Sequence, residues 1–173
     1  MGESSPAYQK WRDWVTKHPV AGAAIAGLAA VQFMTLFAYY LRGIGLPNLQ
    51  WPDFNGSVLS VGAEKFGSSG SFFAGQSLHM ADGVVFAILF ALFFSAAPPL
   101  SMLKGNLAKA MGFSTMLALI SMGFLIPYVY LPHSGFGFFS FYGANHWKLP
   151  LSVLLNHWEY GLILGLFYNP RTS

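Results

Sequence analysis

Residues 19–41 contain no charged side chain, and residues 84–94 read VVFAILFALFF, apolar on every side. Backbone groups taken out of water must bond one another, so segments of this kind cross a membrane as helices or belong to a closed barrel. Barrel strands alternate apolar and polar residues, which these runs do not. A membrane helix needs about 20 mostly apolar residues to cover roughly 30 Å of hydrocarbon. Four runs meet or approach that length: residues 19–41, 78–97, 107–131 and 149–168. Pro98-Pro99 closes the second, Pro132 the third and Asn169-Pro170 the fourth, because proline lacks the N–H that would continue a helix. The fourth run is the most polar, with His157 and Glu159 inside it. Charged residues make up only 9% of the chain, against about 25% in a soluble domain, too few to wet the surface of a globule. The expected fold is all-α: one domain, residues 1–173, forming an integral membrane four-helix bundle with two ordered extracytoplasmic loops.

Residues 1–18 are polar, and the run after them is too long for a signal-peptide core, so it reads as an uncleaved first span. Lysine and arginine concentrate on the cytoplasmic side of membrane proteins. With the N-terminus inside, Lys10, Arg12, Lys17, Lys104, Lys109 and Arg171 lie inside and only Arg42, Lys65 and Lys148 outside. Both termini are therefore expected in the cytoplasm. Of the two outer loops, 42–77 is rich in Gly, Ser, Pro and aromatics, and its middle, 58–66, predicts a short amphipathic helix lying on the membrane surface. The other, 132–150, holds Phe136, Phe138, Phe139 and Phe141, which would be costly in free water. Trp51 and Trp147 are expected as interface anchors.

Membrane helices associate through close packing, since lipid tails are as apolar as leucine. Gly161 and Gly165 form a GxxxG pair in the fourth run, and Gly22 and Gly27 offer small-residue faces in the first. These glycines are expected to line helix contacts, within one chain, between copies, or with another membrane subunit.

Ionisable residues inside a span are costly and point to function. His79 and Asp82 are three apart and share a helix face, one turn into the second run. His157 shares a face with Gly161 and Gly165, while Glu159, two residues on, points roughly 200° away. Glu159 therefore needs a partner other than the site that His157 faces. With His133 and His146 in the second outer loop, all these groups fall toward the extracytoplasmic half. One expectation is a site for a transition metal near that surface, built from His79, Asp82 and His157 with His133 or His146 added, since imidazole and carboxylate suit such ions. Haem with His79 and His157 as axial ligands is a variant of it. The competing expectation is a hydrogen-bonded polar cluster that fixes helix register, for instance Asp82 paired with His157.

Other chemistries find no support. There is no cysteine, no HExxH, no GxSxG elbow, no Walker loop and no GxGxxG fingerprint, and no basic cluster that would engage nucleic acid. No complete catalytic set, and no nucleotide or nucleic-acid partner, is expected.

The segment Asn156-His157-Trp158-Glu159-Tyr160-Gly161, followed by Gly165, resembles the last span of a group of small four-span bacterial membrane proteins, which reads His-x-x-Tyr-Gly-x-x-x-Gly. The resemblance covers about a dozen residues. It implies a four-helix bundle in the inner (cytoplasmic) membrane and carries no activity with it. Glu159 departs from the pattern, which has an apolar residue there, and so marks a place where this chain meets a partner. Three roles follow as expectations: an accessory or structural subunit of a larger membrane complex such as an oxidoreductase, a metal- or haem-binding membrane protein, and a small oligomeric channel or transporter with Asp82 on its path.

Overall fold

The computed structural model describes residues 5–59, 69–132, 135, 137–141 and 146–171. Among them there is no strand, and the six α-helices are α1 (Pro6–Lys17), α2 (Pro19–Gly43), α3 (Trp51–Leu59), α4 (Ser69–Leu89), α5 (Asn106–Ile120) and α6 (Lys148–Phe167). A π-helical turn, Phe90–Phe94, prolongs α4, and a longer π-helical stretch, Ser121–Tyr130, prolongs α5. Three of the resulting rods are long and apolar enough to cross a membrane: Pro19–Gly43, Ser69–Phe94 and Asn106–Tyr130. Their outward faces carry large apolar side chains, such as Phe33, Leu36, Phe93 and Phe124, compatible with lipid. α6, with 20 residues, is shorter and has a polar middle, and length and composition alone do not place it with the other three.

Helix ends follow local chemistry. Ser5 caps α1, its hydroxyl accepting the Tyr8 N–H at 3.3 Å, with Pro6 in the first turn. α2 stops in a Schellman motif. The Leu46 N–H reaches the Leu41 carbonyl at 3.0 Å and the Gly45 N–H the Arg42 carbonyl at 3.1 Å, with Gly45 at φ +81° where only glycine sits without strain. The π-helical stretch is wider by one residue per turn, as the 3.1 Å bond from the Leu131 N–H to the Ile126 carbonyl shows. In that pattern Pro127 would have bonded the Met122 carbonyl but has no N–H to give. The buried Ser140 hydroxyl, from the tight turn Phe138–Ser140, donates to that carbonyl instead at 2.9 Å.

The rods stand in the order α4, α2, α6, α5, each packed on the next. The glycines named from sequence sit at these crossings. A Cβ on Gly27 would strike the Gly83 backbone of α4, one on Gly161 the Ser114 hydroxyl of α5, and one on Gly165 would lie 2.8 Å from the Leu107 Cα. Gly22 instead faces the α1 side chain Val15, at 2.9 Å.

Two elements cap the ends. α1 lies across the end of α6 and satisfies carbonyls that the helix itself cannot. The Trp11 indole donates to the Phe167 carbonyl at 2.7 Å, the Tyr8 hydroxyl to Leu166 at 3.3 Å and the Arg12 Nε to Asn169 at 3.0 Å. Arg171 pairs with Asp13 at the same end. At the opposite end α3 dips between the rods and packs on α4. Gly75 permits this crossing, because a Cβ there would overlap the Pro52 carbonyl of α3.

Two expectations need correcting. The second run does not begin near residue 78: α4 starts at Ser69, because the Gly and Ser residues that look like loop form its crossing with α3. A helix in the first outer loop is Trp51–Leu59, and Trp51 to Gly56 are buried within the bundle; the expected helix 58–66 falls mostly on residues 60–66, which lie outside the described residues. Trp51 is therefore no interface anchor, being 4% exposed, whereas Trp147 is 55% exposed.

Candidate ligand cavity

Beneath α3, about midway along the rods, lies a cavity of about 110 Å³. Val31 and Met34 of α2, Phe86 of α4 and Leu117 of α5 supply apolar walls. The polar groups come from His79 and Asp82 of α4, Trp51 and Asn55 of α3, Ser121 at the start of the π-helical stretch, and His157 and Tyr160 of α6. The spacing in sequence brings them here. His79 and Asp82 share a face of α4, Trp51 and Asn55 are one turn apart on α3, and His157 and Tyr160 are three apart on α6.

The hydrogen bonds divide these groups into those that are satisfied and those that are not. The His157 Nδ1 lies 2.8 Å from the Val153 carbonyl, which can only accept, so Nδ1 carries the proton. Its Nε2 in the neutral ring is then an acceptor, and the Ser121 hydroxyl donates to it at 3.1 Å. The Tyr160 hydroxyl donates to the Gly83 carbonyl at 2.7 Å, tying α6 to α4. The Trp51 indole N–H points to the Asn156 side-chain oxygen at 3.4 Å, and the Asn156 amide donates to the Ser152 carbonyl at 3.1 Å. Asp82 accepts the Asn55 amide at 3.3 Å.

His79 differs. It is 6% exposed, and its Nε2 is buried with no hydrogen-bond partner. Its ring stacks on the Trp51 indole at 6.3 Å and an interplanar angle of 20°, while His157 meets the same indole edge-on at 5.4 Å. A buried nitrogen left unpaired costs about 1–3 kcal/mol. Here it is left unpaired beside an open space.

Beyond the rods, Asp53 in the first turn of α3 is 5% exposed and has one carboxylate oxygen without a partner. Burial raises its carboxyl above the ordinary value.

Of the residues singled out from sequence, His79, Asp82 and His157 do line one cavity. They stand near the middle of their helices rather than close to one rim, because α4 begins earlier than its apolar run. Asp82 is paired with Asn55, not with His157. Both His157 nitrogens are engaged within the protein, and among the described residues no three His, Asp or Glu side chains gather into a set able to hold a metal ion. His146 is exposed in the turn before α6 and does not reach the cavity, while His133 lies outside the described residues. Glu159 is half-buried on the far side of α6 from His157, and its Oε2 has no partner. Trp51, Asn55, Ser121 and Tyr160 are the site residues that sequence reasoning missed. The one-turn spacing of Trp51 and Asn55 was the available signal.

Fold and cavity together define an all-helical protein with three potential membrane-crossing rods around a part-polar internal chamber. No family model, curated protein or solved structure matches the chain.

Proposed function

We propose that this chain is a four-span protein of the inner membrane, both termini cytoplasmic, whose cavity binds a small molecule within the bilayer. α6 is the fourth span. Its polar side chains Ser152, Asn156, His157 and Tyr160 are buried toward the other helices, which leaves Glu159 as the one carboxyl on its opposite face. The cytoplasmic side is the α1 end, where Lys10, Arg12, Lys17, Lys104, Lys109 and Arg171 gather.

The observation that carries the binding role is the unpaired His79 nitrogen at the wall of the cavity. A residue serving only register would have its nitrogens engaged, as His157 does. A buried polar atom without a partner calls for an explanation, and a ligand in the cavity it lines supplies one. The test is organic extraction and mass spectrometry of protein purified in mild detergent, comparing wild type with His79→Phe, which plugs the cavity. A stoichiometric small molecule present in the first and absent from the second supports binding. A clean extract from gently purified wild type refutes it.

A second role is compatible with the first: that of accessory subunit in a larger membrane assembly. It rests on Glu159, whose Oε2 is buried without a partner at the middle of α6. A carboxyl at that depth calls for a donor from a neighbouring helix. The test is native gel electrophoresis of solubilised membranes. Wild type should migrate within a larger complex that Glu159→Leu releases; a monomer in both cases refutes the role.

A further inference from the structure

The order α4, α2, α6, α5 leaves one seam to account for, between α4 and α5. At the α1 end it is closed by aromatic rings, Phe90 and Phe94 standing 5.3 and 5.2 Å from Phe113. At the other end α3 bridges it. α3 packs on α4, and its Ser57 hydroxyl donates to the Tyr130 carbonyl at 2.9 Å. Between these two closures α4 packs chiefly on α2 and α3, and α5 on α6, so neither finds its main partner across the seam. The cavity lies behind this gap. Ile120 lines it and is also 49% exposed on the outer face of α5, so it forms part of the rim. Phe86 of α4, half-buried, lines the same cavity. The bundle therefore has a window between α4 and α5, rimmed by Ile120 and Phe86.

We infer that the α4–α5 seam is a lateral portal, and that the cavity takes from the bilayer a planar ring bearing hydrogen-bonding oxygens, the chemistry of a quinone headgroup. This inference rests on the binding role proposed above and adds the ligand class and its route. Four features select that class. The window opens where lipid tails would lie, so the ligand must dissolve in hydrocarbon. The walls are aromatic and aliphatic, with Phe86 suited to a ring face. The cavity, at about 110 Å³, is smaller than the roughly 150 Å³ that holds a benzene-sized ring in other proteins, so the ring seats only in part and the window leaves its outer edge and tail in lipid. Polar groups are few and placed: the free His79 nitrogen, as N–H, donates to one ring oxygen, and the second N–H of the Asn55 amide, which Asp82 holds in place, donates to another. A charged ligand is disfavoured, since its charge would be stranded midway along the rods.

The test is thermal unfolding of quinone-free protein in mild detergent, titrated with decylubiquinone. Binding to the native state raises Tm in a saturable manner. The expected result is a saturating rise in wild type, lost in His79→Phe and in Ile120→Trp, and retained in part by His79→Gln. Ile120→Trp places its bulk on an exposed rim, so it folds even if the interior variants do not. No saturable rise in wild type, or the same rise in His79→Phe, overturns the ligand class. An undiminished rise in Ile120→Trp overturns the portal. If decylubiquinone fails while organic extracts still yield a His79-dependent molecule, only the ligand class falls; if both fail, the binding role falls with it.

Discussion

Replacing His79 by phenylalanine should stabilise the ligand-free protein. Removing a buried nitrogen that has no partner recovers about 1–3 kcal/mol. Filling cavity space returns about 24 cal/mol per Å³. If the larger ring occupies roughly a third of the 110 Å³ present, that adds about 0.9 kcal/mol. The stack on Trp51 is kept, because phenylalanine offers the same face. Allowing for imperfect fit, the net gain should be about 1–3 kcal/mol. For chains of this size that corresponds to a rise in Tm of roughly 2–4 °C per kcal/mol. His157→Phe is the matched control and should move the other way. It strands the Ser121 hydroxyl in a buried site, at a cost of about 1–3 kcal/mol. Both variants are to be unfolded beside wild type in the same detergent after exhaustive delipidation, followed by tryptophan emission or circular dichroism. A loss of more than about 1 kcal/mol in His79→Phe would refute the reasoning, because it would make His79 a structural member of the core rather than a strained one kept for binding.

Three further outcomes are expected. Tyr160→Phe removes the hydroxyl that reaches the Gly83 carbonyl and should cost about 1 kcal/mol without changing the fold, measurable by the same unfolding assay. Gly75→Val forces a side chain into the Pro52 carbonyl and should detach α3, costing about 3 kcal/mol or more and opening the Trp51 region to water-soluble quenchers. Asp53→Asn tests a pH effect: burial holds the folded carboxyl above its ordinary value of 3.8, so folding takes up a proton in that window. Stability of wild type should fall as pH climbs from the ordinary value through the raised one and then level off. The asparagine variant should lack the fall and be the more stable at neutral pH.

Much of the architecture was legible because it depends on length and polarity alone. The apolar runs located α2, the end of α4, α5 with its extension, and α6, and the prolines marked where all but α2 stop. The glycine pairs were legible for a related reason: close packing needs small residues wherever helices cross. What escaped was whatever depends on a partner distant in sequence. The stretch from Ser69 to Ser77 looks like loop when read locally, and only the crossing of α3 against Gly75 makes its small residues helical. Trp51 looked like an interfacial anchor because tryptophan often is one, yet two histidines from different helices pack on it inside the bundle. His157 looked like a ligand until Ser121, from another helix, took its lone pair. The helix formed by residues 6–17 went unseen, because its fixed position comes from the far end of the chain.

That last contact has a consequence for how the molecule is made. The Trp11 indole bonds the carbonyl of Phe167, 156 residues away, and Asp13 pairs with Arg171. α1 is translated before these acceptors and can find them only after α6 has left the ribosome. Until then α1 has to wait, and its docking serves as a clasp that closes when everything between has been delivered.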